Sequence, residues 1–398
     1  MSINNHVLFE KKELRHFCIY RFIFGISYSF MIPIIPLFFD SIGIATVMIG
    51  TIMSLYGVSK TIMQIPFGMV SDKLGDKRSL ILALLLMTFI PISYTLTNKQ
   101  NIAGIIYIMQ GAILGMAAPA TFSILSRSLD EKKRGECTGF AASVFTLGGG
   151  IGAAIAGFIV GKDSNYDLVF YLSSFGILLT LIFVIFKVKK VSLNNKKSID
   201  KKGPPILKEI KKNKLEYKVF VLGSIAFLGD YIYGCVVAMI HFYGQDVLGA
   251  STIYTSAIVS IYLIVFGIGA PLAGWVSDKI GNKRQLFLSF VVMNITLLML
   301  TFIRSLNLFT IVIIIYFLGA TFLNASLQSS LSEFGSNHRI KGAVFGFVGA
   351  SESFGYALGP VISASIYQIN KEWLFFGLLS ISLLVSLIYL TLHKKAKI

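Results

Sequence analysis

Gly68-Met-Val-Ser-Asp72-Lys73-Leu-Gly75-Asp-Lys77-Arg78 returns further along the chain as Gly274-Trp-Val-Ser-Asp278-Lys279-Ile-Gly281-Asn-Lys283-Arg284. The shift is 206 residues, from Gly68 to Gly274. At a shift of 207, Arg134-Gly135-x-x-x-Gly139-Phe140 matches Lys341-Gly342-x-x-x-Gly346-Phe347, and beyond it Gly148 and Gly152 match Gly355 and Gly359. Asp40-x-x-Gly43 and Asp246-x-x-Gly249 correspond in the same way. A chain that repeats itself once at such a period holds two copies of one architecture in parallel orientation, an arrangement frequent in secondary transporters.

The 398 residues are 55% hydrophobic and only 14% charged, with a mean hydropathy of +0.75. A soluble domain carries about 25% charged residues. The apolar residues come in runs of about 20, each long enough to cross a ~30 Å hydrocarbon layer as a helix. Charge and turn residues divide them into twelve spans: 17–39, 46–71, 79–97, 102–126, 136–161, 167–187, 218–243, 252–277, 285–303, 307–332, 341–369 and 372–393. The expected fold is all-α: twelve transmembrane helices in two six-helix pseudo-repeats. The bundles are expected at 1–187 and 218–398. Between them, 188–217 is a basic linker in which Gly203-Pro204-Pro205 breaks any continuous helix.

The net charge of +17 invites a nucleic-acid reading, which its distribution rejects. Thirty of the 36 basic residues fall on one side of the span map; Lys99, Lys162, Arg304 and Lys371 fall on the other, and Arg21 and Lys60 within spans. Basic loops stay in the cytoplasm during insertion, so both termini are expected inside a cytoplasmic membrane, with the linker against anionic inner-leaflet lipid. No cleavable leader is expected, since the first run is long and lacks an A-x-A site. Cys18, Cys137 and Cys235 are too scattered for a disulfide framework. No HExxH, CxxC or Walker loop occurs, so neither a metalloenzyme nor a nucleotide-driven pump is expected, and no cofactor.

The doubled loop resembles the signature G-x-x-x-D-[R/K]-x-G-x-[R/K]-[R/K] of the major facilitator superfamily, which it matches without a gap after spans two and eight. The resemblance covers the whole chain. It implies two six-helix bundles that open a central cavity alternately to each side. It also implies a gating role for Gly68, Asp72, Gly75, Lys77, Arg78, Gly274, Asp278, Gly281, Lys283 and Arg284, with the aspartates latching the cytoplasmic side near a helix N-terminus. The glycines there are expected to permit close approach and a tight turn. Gly148-Gly149-Gly150-Ile151-Gly152 in span five is similar to the signature of the superfamily's proton-coupled drug antiporters, without its usual Gly-Pro; Gly359-Pro360 stands in span eleven instead. Gly148, Gly152, Gly355 and Gly359 are expected at helix crossings, the commoner use of such residues. In span four the antiporter pattern R-x-x-Q-G reads Tyr107-Ile108-Met109-Gln110-Gly111: glutamine and glycine fit, and the arginine tied to proton transfer is a tyrosine.

Charges within the bilayer are expensive and mark functional candidates. Arg21 stands about four residues into span one, where snorkelling to the interface is the structural alternative. Asp230, near the middle of span seven, is a candidate proton carrier; its polar neighbours Tyr233, Gly234 and His241 suggest a cavity-lining face, and a solvated carboxylate without a coupling role is the alternative. Lys60 in span two and Glu352 in span eleven lie at similar depth, and the resemblance implies that these two spans face each other, so an ion pair broken by protonation is expected to couple protons to opening. A permanent bridge, or an anionic substrate bound by Lys60, stays open. Tyr28, Gln110, Asn324 and Gln328 are candidate substrate contacts, or hydrogen-bond partners of neighbouring helices. Taken together these readings imply a monomer, not an enzyme, that exports small amphiphilic organic compounds by proton antiport. Transport of one specific metabolite, such as a sugar, metallophore or lipid intermediate, is the alternative.

Overall fold

In hydrocarbon every backbone polar group must be satisfied within its own segment, which leaves the helix as the natural form for these runs. The computed structural model describes residues 12–127, 134–188, 215–332 and 338–396. Among them the spans are Lys12–Ser29 with Ile34–Ser41 (one), Thr46–Leu74 (two), Asp76–Thr95 (three), Gln100–Arg127 (four), Arg134–Asp163 (five) and Tyr166–Lys187 (six). The second set is Glu216–Asp246 (seven), Thr252–Ile280 (eight), Asn282–Phe302 (nine), Leu306–Ser332 (ten), His338–Ile369 (eleven) and Leu374–Ala396 (twelve). Eleven stretches are long and apolar enough to cross a membrane; the twelfth, span eleven, carries Arg339, Lys341 and Glu352. The protein is a twelve-span helical membrane protein. Most helices run a few residues past their apolar cores, because a helix continues into the interface until a turn residue stops it.

Span one is not continuous. Pro33 has no N–H to give Ser29, and the chain leaves the helix at Phe30 before resuming at Ile34, with Met31 N–H donating to the Tyr28 carbonyl at 3.1 Å.

The internal repeat holds at the level of packing. Span one lies against five and six, and span three against four and six; span seven lies against eleven and twelve, and span nine against ten and twelve. Every pair in the second set is the first displaced by six helices. The turns repeat as well. Gly43 and Gly249, and Gly75 and Gly281, all sit at positive φ (+82, +65, +92 and +85°), a conformation that costs glycine little and other residues more.

Two compact units emerge that cut across the sequence halves. One consists of Met1–Ile44, Val58–Asn195 and Ser251–Gly267; the other of Ala45–Gly57, Lys196–Ala250 and Ile268–Ile398. The first half of span two thus belongs with the second repeat. There Gly50 abuts the Pro360 carbonyl, 2.6 Å from where a Cβ would stand, and the Val361 N–H donates to Ser54 Oγ at 3.1 Å. In the other unit the first half of span eight lies on span five, with Ser256 against Gly157 and Ser260 Oγ donating to the Gly150 carbonyl at 2.7 Å. The basic linker falls almost wholly outside the described residues.

Candidate functional site

In the unit holding the second repeat, half-buried polar residues line one side of spans seven, ten and eleven. On span seven they are Asp230 and Tyr233, three residues apart and on the same face as Phe227. Gly229 has no side chain to fill the space before span ten, so the Asn324 amide stands 3.9 Å from where its Cβ would be. Gln328, one turn on from Asn324, is exposed. Glu352 on span eleven is half-buried one turn before Tyr356, whose ring lies 5.8 Å from that of Tyr233 and 5.9 Å from that of Tyr56. Spans seven and eleven meet backbone to backbone at Gly355, against Phe227, and at Gly359, 2.5 Å from Cβ position to the Tyr231 carbonyl. That contact fixes how far Glu352 stands from Asp230's helix. Gly234 packs on the Pro360 ring and His241 is fully buried, so the polar face ends at Tyr233 and does not extend to either.

Tyr356 and Tyr56 were missed by reading the sequence, although one signal for the first was present. Pro360 has no N–H for the carbonyl four residues earlier, which belongs to Tyr356. A proline in a membrane helix therefore points to the residue one turn before it.

In the other unit Gln110 is 2% exposed; it accepts from the Tyr94 hydroxyl at 3.0 Å and donates to the Tyr28 hydroxyl at 3.3 Å. These bonds tie spans one, three and four, which is the helix-joining role open to both residues in the sequence. Tyr107, where the antiporter pattern has arginine, is buried edge-on against Phe39 at 5.6 Å. Arg21 does not simply reach for the interface: its guanidinium sits 4.2 Å above the Phe145 ring of span five, a cation–π contact worth about 0.5–2 kcal/mol. Lys60 lies where span two crosses span four, its carbonyl against Gly115. It belongs to one unit and Glu352 to the other.

The Asp72 and Asp278 side chains fall outside the described ones. The loop between spans two and three shows a different acid at work. Asp76, 5% exposed in the first turn of span three, accepts from Ser71 Oγ and from Ser123 Oγ of span four, both at 2.7 Å. Lys77 caps the far end of span six by donating to the Ile185 carbonyl at 2.7 Å, rather than standing free at the headgroups. In the second copy Asn282 replaces Asp76. It accepts from Ser277, the counterpart of Ser71, but an amide has one acceptor oxygen where a carboxylate has two. At the same shift Ser123-Ile124-Leu125-Ser126 corresponds to Ser329-Ser330-Leu331-Ser332, so Ser329 is the counterpart of Ser123 and is likewise half-buried. Asp76→Asn should therefore lower stability by about 1.5–3 kcal/mol, the value of a hydrogen bond to a charged group. Thermal unfolding of this variant in detergent checks this; an unchanged midpoint would refute it.

Gly68 and Gly274 differ from the expectation of close approach. A Cβ at either would meet nothing within 4 Å. The tight turn is made by Gly75 and Gly281.

Twelve helices in two repeats with protonatable groups within the spans define a multi-pass membrane transporter. Residues 17–340 and again 219–397 match the Major Facilitator Superfamily, and the chain belongs to that family. It is 22% identical over 363 residues to multidrug resistance protein 2 of Bacillus subtilis, covering 89% of this chain and 88% of the relative. Multidrug resistance protein MdtG of Klebsiella pneumoniae is 22% identical, with 87% and 84% covered, and quinolone resistance protein NorA of Staphylococcus aureus 20%, with 88% and 89% covered. A crystal structure of the nucleoside transporter NupG superposes with a TM-score of 0.76 at 13% identity, covering 95% of this chain and 99% of that one; it shares the fold.

Proposed function

We propose that this protein exports small amphiphilic organic compounds across the cytoplasmic membrane by proton antiport and alternating access, with both termini in the cytoplasm. The observation that carries the reading is the half-buried face holding two carboxylates, Asp230 and Glu352, beside the aromatic rings of Tyr233, Tyr356 and Tyr56. Carboxylates within membrane spans are rare and mark proton relays and ion pathways, which makes these two natural proton carriers. Aromatic faces next to them suit amphiphilic compounds, as binding pockets for small molecules are mostly apolar with few polar groups. The drug-resistance names of three relatives point the same way. Asn324 and Gln328 add amide contacts for the substrate. Lys60 pairs with Glu352 in one state of the cycle, and Arg21 supports coupling from span one. The doubled loop, including Asp72, Asp278 and the basic residues, gates the cytoplasmic side.

Tyr107 in place of the arginine favours a second reading, transport of one specific metabolite under a different coupling scheme. Energised inside-out vesicles separate the two. Cationic, neutral and anionic amphiphiles added in turn are expected to collapse the pH gradient for several members of the panel. Silence across the panel would refute drug export and leave the single-metabolite reading.

A further inference from the structure

Within the unit that holds the second repeat, a cleft of about 240 Å³ runs between spans eleven and twelve, floored by Tyr231 of span seven. Trp373 and Phe376 stand at one end and Ser380 and Ile381 at the other, with Ile366 across from Gly377. The volume lies below the ~300–1,000 Å³ of pockets for drug-sized ligands. It is narrow because Gly377 contributes no side chain: a Cβ there would come 2.5 Å from Ile366 Cδ1. From Trp373 to Ile381 the helix rises ~12 Å, close to the ~15 Å depth of one leaflet of a ~30 Å hydrocarbon core. Span twelve continues past the cleft with Leu383, Leu384 and Leu387, each at least 50% exposed, so its outer surface is bathed in acyl chains.

The mouth carries both signs of charge. Lys371 pairs with Asp246 at 2.7 Å and Glu372 with Arg304 at 2.8 Å, yet the Lys371 and Glu372 side chains stay 58% and 59% exposed. Trp373 beside them is 52% exposed and is of the residue type that anchors at membrane interfaces. We propose that this cleft holds one acyl chain of a zwitterionic phospholipid, its phosphate over Lys371 and its amine over Glu372. The inference is independent of the substrate and the coupling ion.

The full-length protein, reconstituted in vesicles containing phosphatidylethanolamine with a diazirine at mid-chain, tests it after irradiation, digestion and mass mapping. Adducts are expected to concentrate several-fold on Ile366, Gly377, Ser380 and Ile381 relative to Ile311 and Ile315, exposed residues at matching depth on span ten. Gly377→Leu should remove the excess and leave Ile311 and Ile315 unchanged. Should that variant fail to fold, Ser380→Phe fills the cleft from an exposed position. Labelling spread evenly over both spans, or an excess that survives filling, would mean annular lipid only and overturn the proposal.

Discussion

Vesicles carrying Glu352→Gln are expected to lose substrate-driven proton release, and those carrying Asp230→Asn to lose most of it, while both proteins still reach the membrane. Each substitution keeps size and hydrogen-bonding shape and removes the protonatable oxygen, so the folded helices have little reason to change. Glu352 is the more consequential because of its surroundings. One turn on, Tyr356 touches Tyr233 and Tyr56, and span eleven is held to span seven by glycine-to-backbone contacts at Gly355 and Gly359. A change of charge there acts on a rigid seam. Lys60 and Glu352 are both half-buried, so removing one partner costs between the ~1 kcal/mol of an exposed pair and the ~3–5 kcal/mol of a fully buried one. Each 1.4 kcal/mol or so is about tenfold in an equilibrium constant, so coupling through Lys60 and Glu352 predicts a fall of roughly tenfold or more. The charge-swapped double variant Lys60→Glu with Glu352→Lys separates pairing from mere burial. If the single changes assemble and the swap does not, the pair is refuted. If Glu352→Gln binds substrate normally and still releases protons on its addition, the coupling role is refuted and Asp230 remains to carry it.

The repeat was legible in the sequence because it is written in residues with few substitutes. The glycines at 43, 75, 249 and 281 supply positive φ, and the same requirement at the same place in both copies leaves the same letter. Span lengths were legible because the bilayer sets them. The face each span presents was not. Spans four and ten are apolar around most of their circumference, and so Gln110, satisfied by two tyrosines, and Asn324, beside an open glycine, look alike in the sequence. Asp76 was overlooked for a related reason. It fills a variable position of the loop signature, and its role appears only when Ser123, from span four, is seen donating to it. The partition of the packing units had no sequence signal of its own, since it depends on which helix halves touch.

Gly152→Leu is expected to abolish assembly of the folded transporter, whereas Gly68→Ala should leave it as stable or more so. Both positions are glycines within helices and quoted motifs, but their surroundings are opposite. A Cβ at Gly152 runs into the Ile26 carbonyl, with the Ile26 carbonyl carbon 2.9 Å and Cα 3.1 Å away. Those are backbone atoms of span one, and they cannot swing aside as a side chain does. Even alanine there forces spans one and five apart, at about 1–3 kcal/mol for overpacking, and leucine multiplies the displacement along the whole crossing. Gly359 against the Tyr231 carbonyl is the counterpart in the second repeat and should respond alike. At Gly68 nothing lies within 4 Å of the added methyl, and alanine in a helix interior gains about 0.5–1 kcal/mol over glycine. Thermal unfolding in detergent, read beside transport, therefore gives two separate answers. A destabilised Gly68→Ala would contradict the open space around that residue. A Gly68→Ala protein that is fully stable but slow in transport would place the need for glycine in another state of the cycle, where the loop closes against something it does not touch here.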